Sequence, residues 1–255
     1  MKANKFAYCI LLLGIGFSGP VQSDSVRVAV ATNFLATAEK LAPSFESSTG
    51  HRVILASGST GQLFAQIQRG APFEVLLAAD QASAARLEQD GLAVMGSRFT
   101  YAIGGLVLWS PQADSPIRSG PEGLLDPRVR HVALANPRLA PYGSAAQATL
   151  ERLGLWTQVK DKIVLGQNVA QAFSLLASGA AQAGFIAKTQ RQISPAASGG
   201  AAWPVPNTLH APIIQEAILL KAGQTQAGAK EFLKYMKSEP ARRRIREAGY
   251  GTPRP

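Results

Sequence analysis

The chain has 255 residues, 46% of them hydrophobic, with a formal net charge of +10 and a mean hydropathy near zero. That length can bury one large core or two smaller ones, and the composition excludes a disordered or fibrous chain. The basic balance suits an anionic partner (a small oxyanion, a membrane surface or a nucleic acid), while the single cysteine, Cys9, excludes a disulfide framework and a thiolate metal site.

Residues 1–23 carry Lys2 and Lys5, an apolar run over 6–17, Pro20, and then Val21-Gln22-Ser23. This is the pattern of a cleaved secretory signal, too short to span a membrane comfortably. Cys9 lies inside the apolar run rather than beside a cleavage site, which argues against a lipid anchor. The mature chain is expected to begin near Asp24, and export argues against a nucleic-acid partner.

After this leader, VRVAVA (26–31) reads as a strand that ends at Thr32-Asn33, before the helical stretch FLATAEKLAPSF (34–45). Residues 55–70, LASGSTGQLFAQIQRG, are the most informative stretch: a buried strand runs directly into an amphipathic helix. Ser59 is a good N-cap, Gln62 completes a capping box, Leu63, Phe64 and Ile67 form the apolar stripe, and Gly70 and Pro72 stop the helix. Thr60 and Gly61 then lie in the first turn, where backbone N–H groups lack intrahelical partners and the helix dipole favours negative charge. EVLLAA (74–79) and QASAARLEQ (81–89), capped by Asp80, complete the first alternating series.

Two apolar pieces over 99–109, joined by Gly104-Gly105, read as one extended segment crossing between domains. A second series follows. HVALAN (131–136) leads through Pro137 to Pro141-Tyr142-Gly143 and the helix SAAQATLERLG, KIVLG (162–166) ends at Gln167-Asn168 before VAQAFSLLASG, and AGFIA covers 183–187. The proline-rich interval 203–206 precedes a strand over 213–220, read as the return crossing. Residues 224–248 read as helical, with Phe232, Leu233, Tyr235 and Met236 packed and Arg242, Arg243, Arg244 and Arg246 on a solvated face. Strands alternating with helices predict an α/β fold with parallel sheets and right-handed crossovers. Two lobes are expected, 24–103 with 212–255 and 104–211, with the ligand in the cleft between them.

In open α/β sheets ligands bind beyond the carboxyl ends of the strands. Four strand-to-helix turns therefore converge there, offering Thr32, Asn33, Ser59, Thr60, Tyr142 and the backbone N–H of Val169 as donors. A buried dianion loses hydration worth several kcal/mol, and each hydrogen bond to a charged group returns roughly 1.5–3 kcal/mol, so about six donors suffice. These turns contain no Asp or Glu. A protonated anion such as hydrogen phosphate wants a carboxylate acceptor, so the donor set favours a fully deprotonated tetrahedral dianion of the sulfate type. Asp80 is assigned to capping, while Arg138 is either within reach of the third loop or a surface arginine. An enzyme is disfavoured. SGSTG is not a nucleophile elbow, no motif surrounds His51, His131 or His210, and neither a P-loop, an HExxH nor a dinucleotide fingerprint occurs. An exported hydrolase using a loop serine stays as the enzymatic alternative.

ATNFLATAEKLAPSFESSTGHRV, ASGSTGQLFAQIQRGAP, ADQASAARLEQDGL, SRFTYAIGGLVLWS and NPRLAPYG together resemble blocks of a known family, the periplasmic molybdate-binding proteins of bacterial ABC importers. The resemblance spans essentially the whole mature chain. It implies a type II periplasmic-binding-protein fold that holds molybdate or tungstate with neutral donors and delivers it to a membrane permease driven by a cytoplasmic ATPase. No cofactor and no catalysis are implied, and a monomer is expected. Matching motifs place the ligand contacts at Thr32, Asn33, Thr60, Tyr142 and the Val169 N–H, with Ser59 adjacent. Many members carry a tyrosine where this chain has Ala187, and the Tyr142 version of the site resembles an alternative within the family. A receptor for another tetrahedral oxyanion, sulfate above all, is the nearest rival.

Overall fold

The computed structural model describes residues 25–194 and 198–253, so the leader read at 1–23 lies outside the described residues. The first half builds β1 (Ser25–Ala31), α1 (Leu35–Thr49), β2 (Arg52–Gly58), α2 (Thr60–Gln68), β3 (Val75–Ala78), α3 (Gln81–Gln89) and β4 (Phe99–Gly104). There follow β5 (Leu106–Ser110), β6 (Val132–Ala135), α4 (Pro141–Arg152), α5 (Trp156–Val159), β7 (Ile163–Gly166), α6 (Val169–Ala177), β8 (Ala183–Ala187), α7 (Lys188–Ile193) and β9 (Ala201–Pro204). The chain closes with β10 (Ile213–Leu219), α8 (Ala227–Met236) and α9 (Glu239–Glu247).

Two five-stranded sheets result, ordered β2-β1-β3-β10-β4 and β7-β6-β8-β5-β9. Their strands are not all parallel, as the alternating pattern had suggested. β1 runs parallel to β2 and β3, and β6 to β7 and β8, but β10 is antiparallel to β3 and β4, and β5 is antiparallel to β8 and β9. The reason lies in the crossings: a strand entering a sheet from the other one arrives against the direction of the βα units.

Only Gly105 separates β4 from β5, so the expected extended crossing at 99–109 is present, half in each sheet. The return differs from expectation. Residues 205–212 make the crossing, and β10 itself sits inside the first sheet. The proline-rich interval hides a strand, β9, whose edge position tolerates Pro204. The C-terminal helical stretch is broken at Lys237-Ser238, because Ser238 Oγ accepts from Ala241 N at 3.4 Å and Pro240 takes an early helical position.

Each sheet has its own core. Around the first, Phe34, Phe45 and Phe232 are almost fully buried, with Phe45 and Phe232 edge-to-face at 5.3 Å and Phe34 against Tyr101 at 4.7 Å. Around the second, Leu108, Leu134, Phe185 and Leu150 pack together, while Trp109 stacks on Phe173 on the opposite face. Each such side chain contributes roughly 1.5–3 kcal/mol of burial. In the arginine cluster, Arg243, Arg244 and Arg246 are exposed as expected, but Arg244 also donates to the Lys40 carbonyl at 3.1 Å and Arg246 pairs with Glu239.

Candidate functional site: a pocket of neutral donors

The β2–α2 turn forms as its sequence dictates. Ser59 caps α2 with a full capping box: its Oγ accepts from Gln62 N at 3.4 Å, and Gln62 Oε1 accepts from Ser59 N at 3.1 Å. The Ser59 hydroxyl also donates to Gln62 Oε1 at 2.9 Å. Thr60, 1% exposed, opens the helix, and its Oγ1 accepts from Ala79 N at 3.0 Å. That leaves the Thr60 hydroxyl proton unspent.

The β6–α4 turn differs in detail from expectation. Pro141 already occupies the first helical position, where its missing N–H costs nothing, so Tyr142 belongs to the first turn of α4 rather than to a preceding loop. Asn168 caps α6 by accepting from Gln171 N at 3.0 Å, which places Val169 first in that helix. In the turn after β1, Thr32 N donates to Gly58 O and Phe34 N to Ala31 O, and the Asn33 N–H between them has no acceptor among the described residues.

These four turns meet. Thr32, Asn33, Ser59, Thr60, Tyr142 and Val169 all line one tight pocket of about 10 Å³, together with Ala31, Ala79, Ala140, Pro141 and Asn168. No charged side chain lines it. The pocket lies between the two sheets' turns, and Gly61 N donates to Leu139 O at 2.9 Å across the cleft, so the two sides are in contact. Available donors are the Thr32, Thr60 and Tyr142 hydroxyls and the first-turn N–H groups of Thr60 and Val169, which have no intrahelical acceptor. The arrangement points donors at one small space and places no acceptor carboxylate there.

Residues the sequence reading set aside fall outside this pocket. Asp80 caps α3, accepting from Ser83 N at 2.7 Å, and borders an adjoining open groove, where burial raises its carboxyl above the ordinary range. Arg138 is exposed and borders that same groove. None of the three histidines lines the pocket: His51 faces Glu231 at 3.6 Å, His131 is exposed, and His210 Nδ1 lies 2.7 Å from Ala211 O. The loop serine therefore has a glutamine, not a base, as its partner. Ala187 is fully buried at the end of β8 and is not among the lining residues.

Sequence reasoning missed a layer behind the pocket. Gln215, fully buried on β10, accepts through Oε1 from Asn33 Nδ2 (2.8 Å) and Tyr101 Oη (3.0 Å), and donates through Nε2 to Tyr142 Oη (3.4 Å). Tyr250 Oη donates to the Asn33 carbonyl at 2.6 Å and accepts from Asn33 Nδ2 and from Thr189 Oγ1, each at 3.3 Å. Burial pushes the Tyr101 and Tyr142 phenols well above 10, reinforced by neighbouring Tyr250, and pushes Tyr250 up to about 12. All three stay protonated near neutral pH. A Cβ at Gly104 would collide with the Tyr142 hydroxyl and lie 3.0 Å from Gln215 Nε2, so glycine there makes room for the tyrosine. The one available sequence signal was a glutamine inside the apolar run IIQEAILL.

Two mixed sheets flanked by helices and joined by two crossings, with a small pocket at the helix starts between them, define a two-lobed solute receptor. The family model for bacterial extracellular solute-binding proteins matches residues 26–251, and the chain belongs to that family. It is 42% identical to the molybdate-binding protein ModA of Azotobacter vinelandii over 243 residues, 95% of this chain and 96% of that one. It is likewise 42% identical to ModA of Rhodobacter capsulatus, over 95% of this chain and 94% of that one. The solved A. vinelandii periplasmic molybdate-binding protein superposes with a TM-score of 0.84 at 43% identity, covering 90% of this chain and all of that one. The sulfate-binding protein SubI of Mycobacterium tuberculosis, at 15% identity and a TM-score of 0.75, shares the fold alone. These relatives are binding proteins of transport systems, not enzymes.

Proposed function

We propose that the protein is the periplasmic receptor of an ABC importer that captures molybdate or tungstate and delivers it to the membrane permease and its cytoplasmic ATPase. The observation that carries this reading is the uncharged donor lining of the pocket, in a chain 42% identical to molybdate-binding proteins. A dianion without protons needs donors alone, and each charge-assisted bond contributes about 1.5–3 kcal/mol.

Its contacts are the hydroxyls of Thr32, Thr60 and Tyr142, with Ser59 able to join by turning away from Gln62, and the N–H groups of Asn33, Thr60 and Val169. Residues 1–23 direct export and are cleaved. The lobes, 24–103 with 212–255 and 104–211, close as bodies over the ligand, hinging near Gly104-Gly105 and Pro212-Ile213. The receptor works as a monomer, and the closed form is the one the permease reads. Calorimetric titration of the anion-stripped mature chain with molybdate tests this: one ion per chain is expected, and no heat of binding overturns it.

A further inference from the structure

Gln215 is not among the residues lining the pocket, yet it grips two side chains that are, one on each side of the cleft. The direction of every proton behind the pocket can be followed from a fixed starting point. The Asn33 carbonyl can only accept, so Tyr250 spends its one hydroxyl proton there, at 2.6 Å. Tyr250 Oη can then only accept from the Asn33 side chain, which fixes Asn33 with Nδ2, not Oδ1, toward Tyr250. The same Nδ2 lies 2.8 Å from Gln215, so the group facing it must be Oε1, which Tyr101 Oη also approaches at 3.0 Å while lying 3.3 Å from the Ala78 carbonyl. The other end of the amide is therefore Nε2, which donates to Tyr142 Oη.

Building on the oxyanion reading above, we propose that Gln215 is a positioning residue that sets the polarity of the site. By donating to Tyr142 Oη it leaves the phenolic proton for the ligand, and by bonding Asn33 it ties the turn after β1 to the start of α4. The chain Tyr250, Asn33, Gln215, Tyr142 is ordered in one sense, and its end is a donor. The β-bulge at Gln215-Glu216, where β10 shifts register against β4, lies at this glutamine in the sheet.

A double-mutant cycle tests the proposal, using molybdate titrated into Gln215→Met, Tyr142→Phe and the double variant, with thermal unfolding to confirm that each folds. Gln215→Met is expected to weaken binding about tenfold in the native background and several-fold less in the Tyr142→Phe background, where the part of its effect that passes through the phenol is already lost and only the tie to Asn33 remains. Equal losses in both backgrounds, or no loss in either, overturn it. If Tyr142→Phe alone keeps native affinity, the assignment of Tyr142 as a ligand contact falls, and this inference falls with it. If Tyr142→Phe weakens binding and Gln215→Met does not, only this inference falls. Should Gln215→Met not fold, Tyr250→Phe breaks the first link more gently. The same cycle then reads a loss of several-fold that shrinks beside Tyr142→Phe, and a loss of equal size there contradicts the ordering.

Discussion

Thr60 shows how one oxygen serves fold and site together: Oγ1 accepts from Ala79 N and still has a proton to give. Thr60→Ala is therefore expected to weaken molybdate binding by at least about 1 kcal/mol by calorimetry, and to cost stability of similar size by urea unfolding, because a buried N–H loses its acceptor. Unchanged affinity would remove Thr60 from the contacts. The three buried tyrosines carry the pH dependence. Their phenols titrate above the ordinary value near 10, so the native state holds protons that the unfolded chain releases first. The stabilisation is complete below about pH 10 and is lost as pH rises through the raised native values, about 12 for Tyr250, so the urea midpoint is expected to be lower at about pH 11 than at about pH 9. At this scale the sequence was informative where chemistry follows from local position. Thr32, Asn33, Ser59, Thr60, Tyr142 and Val169 each sit beside a strand end or helix start, and they do line one pocket. Gln215 and Tyr250 were illegible because their partners lie 182 and 217 residues away in the chain at Asn33, and no local pattern records that.

Among the elements, the helix starts matter most. α4 can seat Tyr142 only because Gly143 passes against the end of β6, where a Cβ would collide with the Ala135 carbonyl. Gly143→Ala is expected to cost about 1–3 kcal/mol of stability by denaturant unfolding and to weaken binding as the first turn of α4 shifts. Asn168→Ala, which removes a cap from α6 but no ligand donor, is expected to cost about 1 kcal/mol of stability with a smaller effect on affinity. Capping chemistry made α2 and α3 legible from Ser59, Gln62 and Asp80, because those signals are local. Strand direction was not, since apolar runs such as those of β5 and β10 read the same in either direction. β9 was obscured by prolines that an edge strand can carry.

The whole molecule works by joining two separate cores through two narrow crossings. Its contacts across the cleft, Gly61 to Leu139 and Gln215 to Tyr142, close around the site, so a ligand held from both sides stabilises the closed state. Molybdate at about a thousand times its dissociation constant is expected to add about 4 kcal/mol to unfolding stability, seen as a raised midpoint in thermal unfolding. The two-lobed plan was legible because the glycine-interrupted segment 99–109 lies between two alternating strand–helix series, whereas the closeness of the lobes depends on contacts between distant segments.

The central claim is that this pocket selects a larger tetrahedral dianion through neutral donors held in a fixed geometry. The most direct measurement is calorimetric titration of the anion-stripped mature chain with molybdate in a large excess of sulfate. Tight binding of one molybdate per chain that survives the sulfate is the predicted result. Binding abolished by sulfate would contradict it and make this pocket a sulfate site.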